Sequence, residues 1–130
     1  MILVLQDIYY TAVRDGIKTH EGRLGTKALK ALKEGSIVQF TRKSDDTQWV
    51  QVQVKVATLY VSIGDMLRGR LQEYLPGVTT VDAGIKTYHG FPWYKANEFK
   101  AGMIGFSFDI VYKSSQGASV TPLLWKCESS

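Results

Sequence analysis

Between residues 16 and 24 the chain reads GIKTHEGRL, which sets Lys18, Thr19, His20, Glu21 and Arg23 within six positions of one another. Ionisable groups at this density are either solvated or form a site, because burying one without a partner costs several kcal/mol or shifts its pKa. In a regular strand Thr19, Glu21 and Arg23 project to one face, and Lys18 joins them through a bend, which Gly22 or the residues just before the strand can supply. A lysine beside another cation has a lowered pKa and can act as a base, whereas one beside Glu21 is held charged. The pair can then serve as proton shuttle and oxyanion stabiliser. The same residues also make an ordinary ion pair at a strand edge, the plainer reading of the residue types alone.

Other chemistries find no support. His20 and His89 are the only histidines, Cys127 is the only cysteine, and none belongs to a ligand motif, so neither a metal nor a cofactor is expected. The chain has no G-x-x-x-x-G-K-[ST] phosphate loop and no G-x-S-x-G elbow, which sets aside ATPase and serine-hydrolase chemistry. The N-terminus has a short apolar run without a basic start or cleavage site, and no later run approaches membrane-spanning length. An intracellular protein without a membrane partner is expected.

The 130 residues suffice for one domain, and a hydrophobic fraction of 45% argues for a folded chain. Charge is uneven. Residues 14–43 hold eight Lys/Arg and three Asp/Glu, while the remainder holds eight and nine, so the net charge of +4 arises wholly in the segment containing the cluster. An anionic partner such as nucleic acid or a nucleotide fits this pattern. Lys27, Lys30 and Lys33 would equally keep one helix face soluble.

The elements that must hold the cluster follow from periodicity. ILVL at 2–5 reads as a buried strand, and 7–15 as a helix with Ile8, Ala12 and Val13 on one face and Gly16 as its stop. Thr26 caps a short helix, Glu34-Gly35 turns into a strand at 36–41, and RKSDDT is a hairpin loop. In 49–58, Val50, Val52, Val54 and Val56 alternate with polar residues as a half-buried strand. Ser62 starts another helix that LPGVTT breaks, and one begins near Thr79 or Thr80. HGFPW reads as loop, and 103–112 as a strand with Ile104, Phe106, Phe108 and Ile110 inward. Antiparallel strands interrupted by short helices imply an α+β fold on a small barrel-like sheet.

Gly16, Lys18, Glu21 and Arg23 match G-x-K-x-x-E-x-R, and the pattern resembles the signature of the ASCH family, whose barrel is related to the PUA RNA-binding domain. The likeness continues through EGSIVQF, the valine strand ending in Tyr60, the helix after Ser62, YLPGVTTVDAGIKTYHGF and GMIGFSFDI. It covers residues 1–112 as an ASCH domain and leaves 113–130 as a tail, with Leu123, Leu124 and Trp125 available to dock.

The resemblance implies a ligand cleft lined by the signature charges, and a small modified nucleoside or single-stranded RNA as partner. Some relatives bind nucleic acid, some cleave RNA, and small bacterial ones remove acyl groups from the exocyclic amine of cytidine with a lysine, a threonine and a glutamate. Lys18 matches that lysine. Glu21 stands where the threonine would be, with Thr19 nearby but out of register, and Pro76 stands at the glutamate position, with Glu73 the nearest acid. The expected activity is an amidohydrolase in which Glu21 activates water, Lys18 stabilises the oxyanion or protonates the leaving amine, Arg23 orients Glu21, and Glu73 is the further acid. The alternatives are a non-catalytic RNA-binding module and, with less support, a ribonuclease. Tyr60, Tyr88, Phe91 and Trp93 are the candidate stacking platforms for a base; Tyr60 and Tyr88 equally suit ordinary core packing, and Trp93 is the one expected to be exposed.

Overall fold

The computed structural model describes residues 1–114. In chain order the elements are β1 (Ile2–Leu5), α1 (Asp7–Arg14), β2 (His20–Leu24), α2 (Lys27–Lys30), β3 (Ile37–Arg42), β4 (Asp45–Tyr60), α3 (Ile63–Leu67), α4 (Leu71–Tyr74), α5 (Val81–His89), α6 (Pro92–Ala101) and β5 (Met103–Lys113). The strands form one sheet in the order β1-β3-β4-β5-β2. Only β1 and β3 are parallel; the other three pairings are antiparallel. The sheet curls into a half-barrel with β1 and β2 as its free edges, so the α+β, mostly antiparallel architecture expected from the sequence is the one observed.

Two apolar cores lie on opposite faces of β5, which explains why its first half is buried almost throughout. Ile104, Phe106 and Phe108 join Leu3, Leu5, Tyr10, Val13, Val38, Phe40 and the strand valines in one core. Met103 joins Leu24, Ile63, Met66, Leu67, Tyr74 and Tyr88 in the other, beneath the four later helices. Glu98 ties that helical layer together. It is buried on α6, accepts the Ile63 N–H at 2.8 Å at the start of α3, and pairs through its other oxygen with His89 Nε2 of α5 at 2.8 Å.

A glycine pair sets how closely the helices approach the sheet. Gly22 of β2 lies opposite Gly105 of β5. A Cβ on Gly22 would fall against the end of the Met66 side chain and 2.8 Å from the Tyr88 hydroxyl, and one on Gly105 would overlap the Tyr74 hydroxyl. The bare backbone therefore admits side chains of α3, α4 and α5 to the sheet surface.

Several expectations are corrected. In α1 the buried residues are Tyr10 and Val13, while Ile8 is exposed, because the helix presents an i,i+3 pair to the sheet. β1 is an edge strand with Ile2 and Val4 exposed, so it is covered on one face only. The valine alternation breaks at a bulge between Val54 and Val56 that leaves Lys55 unpaired and turns Val56 to solvent. The β3–β4 loop is shorter than RKSDDT, since Arg42 pairs with Asp45, and Asp45 accepts hydrogen bonds from the Thr47 N–H and hydroxyl and from Gln48. HGFPW is not all loop. Pro92 opens α6, as proline does at the first helical position, and the helix escapes periodicity because apolar residues occupy both its faces. The expected helix starts hold: Thr26, Ser62 and Thr80 each accept a backbone N–H three residues on.

Gly105→Ala is expected to destabilise the fold by about 1–3 kcal/mol by overpacking. Gly22→Ala should cost less, since the flexible end of Met66 can move whereas the buried Tyr74 ring cannot. Thermal unfolding of the two variants measures the difference.

Candidate functional site

Helix α1 ends at Gly16, whose φ of 78° is a left-handed conformation that glycine adopts without strain. The Ile17 and Lys18 N–H groups both return to the Ala12 carbonyl, so the chain is still irregular at Lys18 and enters β2 only at His20. This bend is what lets the Lys18 ammonium swing back over its own strand. The Thr19 N–H donates to the Glu73 carbonyl at 3.2 Å, and Lys18 Nζ donates to the carbonyl of Tyr74, the last residue of α4. Helix ends leave such carbonyls without partners, and here two are met from one side.

Lys18 is 2% exposed. Besides Tyr74, its Nζ donates to the His20 carbonyl at 2.6 Å and to Glu21 Oε1 at 3.0 Å, and it sits 5.6 Å from the centre of the Tyr9 ring. An ammonium has three N–H bonds, and all three have acceptors. Glu21 is buried as well, with its second oxygen accepting from Arg23 Nε at 2.7 Å. Arg23 remains partly exposed, and its Nη2 reaches the Val4 carbonyl at 2.9 Å. The carbonyls of Met1, just before β1, and of Leu5 accept from the Gln39 and Lys43 N–H groups, so by alternation the Val4 carbonyl faces the free edge. Arg23 thus spans the gap between the two edges of the half-barrel.

Electrostatics follow from this arrangement. Burial pulls the Lys18 ammonium below its ordinary range and is opposed by the Glu21 charge. Burial would raise Glu21, but Lys18 and Arg23 outweigh it and hold the carboxyl below its ordinary 4.5. Tyr9, Tyr74, Tyr88 and Tyr94 are all pushed up, by burial first and with the Glu21 charge contributing, so neutral phenols surround the carboxylate. Burial lowers the His20 imidazole, helped by Arg70, Lys18 and Lys55 and opposed by Glu73. A neutral His20 therefore faces the Thr19 hydroxyl, with 2.9 Å between Oγ1 and Nδ1.

The structure brings Lys18, Glu21 and Arg23 into one network and places Thr19 and His20 beside it. Glu73 contributes its main-chain carbonyl, while its carboxylate has no hydrogen-bond partner among the described residues and acts on His20 only through its charge. Tyr88 is buried with its hydroxyl near Gly22, and Tyr60 packs half-buried beside Tyr74. Trp93 is exposed, but on α6 rather than in a loop. Tyr74 and Tyr9 were not foreseen, and the Tyr74 contribution is a backbone carbonyl for which the sequence has no signal. A cavity of about 320 Å³ near the end of β5, lined by Tyr10, Arg14, Asp15, Gln48, Lys113 and Ser114, includes none of the network residues. Among the described residues no group of three His, Cys, Asp or Glu side chains could hold a metal ion, and no helix is long and apolar enough to cross a membrane.

Comparison with solved structures agrees with this architecture. The crystal structure of hypothetical protein PH0355 matches with a TM-score of 0.72 and 26% identity, covering 85% of this chain and 97% of that one. The solution structure of protein PF0455 from Pyrococcus furiosus matches at 0.63 and 25%, covering 85% and 96%. The crystal structure of ASCH from Zymomonas mobilis superposes with a TM-score of 0.58 over 88% of this chain and 72% of that one. The fold is that of the ASCH family. Identity to the Zymomonas protein is 8%, so that likeness concerns fold alone. No protein-family model and no curated protein matches the sequence. Within the ASCH fold the signature residues of this chain form the charge network at the β2 edge.

Glu21→Gln should destabilise the protein by about 3–5 kcal/mol, because it leaves the buried Lys18 charge without its counter-ion. Adding Lys18→Met to it should recover a large part of that loss. Since the folded Glu21 pKa lies below 4.5, its stabilisation is complete above that value and disappears as pH falls through the folded one. Denaturant unfolding between pH 2 and 7 should accordingly show a steeper acid loss for the native chain than for the double variant.

Proposed function

We propose that this ASCH-type protein is a recognition module for RNA, with Arg23 as the signature charge that meets the ligand and Lys18 and Glu21 as the charges that position it. One observation carries the reading: every N–H bond of Lys18 and both oxygens of Glu21 are already engaged inside the protein. A general base needs a lone pair directed at a proton, and an oxyanion donor needs a free N–H. Glu21, held below its ordinary pKa, is also a weak base for activating water. Arg23, by contrast, keeps a partly exposed guanidinium whose Nη2 partner is an edge carbonyl that a phosphate or base edge can replace. Exposed Lys27, Lys30, Lys33 and Lys43 in the basic segment give additional support for an anionic ligand.

The hydrolase reading has one observation in its favour, the Thr19 hydroxyl at hydrogen-bond distance from a neutral His20 imidazole. That pairing resembles an activated nucleophile. Acyl transfer from an acylated cytidine would run through these two residues rather than through Lys18 and Glu21.

One set of measurements separates the readings. Fluorescence anisotropy with a labelled single-stranded RNA should show binding that weakens steeply with salt and by about tenfold or more in Arg23→Gln. Acetylated and benzoylated cytidines should remain intact over the same period. Turnover that Thr19→Val abolishes, in a protein whose RNA affinity is negligible, would replace the binding reading with the hydrolase one.

A further inference from the structure

Helix α6 has two working faces. Tyr94 and Glu98 point inward, where Tyr94 packs against the core that includes Leu24 and Glu98 joins α3 and α5. The opposite face carries Trp93 at 58% exposure and Phe99 at 78%, with Lys95 and Lys100 exposed beside them. Lys95 lies one turn before Phe99, and Lys100 two turns after Trp93, so on the helix surface each ring has a lysine as neighbour. Ala96 and Pro92 leave a low floor between the rings. Phe91 continues the aromatic surface, its ring centre 6.2 Å from that of Trp93.

Large apolar side chains this exposed call for a partner. The helix's single carboxylate, Glu98, is turned inward with both oxygens engaged, so every charge on the exposed face of α6 is positive. Flat rings that each have a lysine as neighbour match a chain that alternates flat bases with phosphates. A lipid-surface helix keeps its lysines and its aromatic residues on separate faces, whereas here they share one, and the core of a protein interface is depleted in lysine.

We infer that the outer face of α6 is a stacking platform for single-stranded nucleic acid, on which Trp93 and Phe99 hold unpaired bases and Lys95 and Lys100 the adjoining phosphates. This rests on the recognition reading above and extends it: Tyr94 packs α6 beside the strand that holds Arg23, which sets the platform on the element next to that residue. Duplex bases are not available to such rings, and the platform selects single strands.

The test uses the full chain and a labelled twelve-nucleotide oligouridylate, with a duplex of equal length beside it, followed by anisotropy as salt is raised. Trp93→Ala/Phe99→Ala should weaken single-strand binding about tenfold or more, leaving the salt slope and the duplex affinity unchanged. Lys95→Gln/Lys100→Gln should reduce the single-strand salt slope by about 0.7 per lysine. All four side chains are exposed, so circular dichroism should show native folding. Single-strand affinity unaltered in both variants but reduced in Arg23→Gln would overturn the platform and leave the recognition reading standing. Loss in the α6 variants with none in Arg23→Gln would do the reverse. Absence of single-strand binding by the unaltered protein would overturn both. A change in self-association or in binding to anionic vesicles, with RNA affinity unchanged, would assign the face to another partner and overturn the inference.

Discussion

A lysine removed from water must find three hydrogen-bond acceptors and a counter-charge, and this requirement at Lys18 organises the surrounding structure. Its acceptors come from three places: the carbonyl that ends α4, a carbonyl on the β2 strand and the Glu21 side chain. Each depends on a separate piece of folding, including the left-handed turn at Gly16 that releases Lys18 from α1. The network gains its strength from completeness, because a buried pair with one member removed is far worse than no pair.

The same network addresses a topological weakness. A half-barrel has two free edges, and exposed strand edges invite pairing with other chains. Arg23, fixed by Glu21 on one side, reaches the Val4 carbonyl on the other and so links β2 to β1 without a ladder. Lys18 neutralises Glu21 from within, which leaves the Arg23 cation as the network's excess charge, placed at the partly exposed seam between the two edges. The proposed recognition would therefore use the same charges that close the structure. The Gly22–Gly105 pair completes the arrangement by letting Met66, Tyr74 and Tyr88 close over the sheet beside the network.

Much of this was legible in the sequence, for physical reasons that differ by element. The capped helices after Thr26, Ser62 and Thr80 were read because a cap is a local side-chain-to-backbone bond. The facing of Glu21 and Arg23 was read because strand alternation is strict over two residues. The turn of Lys18 onto its strand was foreseen only as a bend, since its direction is set by carbonyls of α4 some 56 positions away. Helix α6 was missed because apolar residues on both its faces erase the helical period, and the same feature carries its exposed aromatic surface. The bulge at Lys55 was missed because an unbroken valine alternation has no mark of a register shift.

The most direct test of the account is the state of the Lys18 side chain in solution, observed by heteronuclear NMR of the chain with labelled lysine. The account predicts a protonated ammonium at neutral pH that exchanges slowly with water and shows scalar coupling to its carbonyl and carboxylate acceptors. A neutral amine, or an ammonium exchanging as fast as the surface lysines, would contradict it and return Lys18 to the role of a free base.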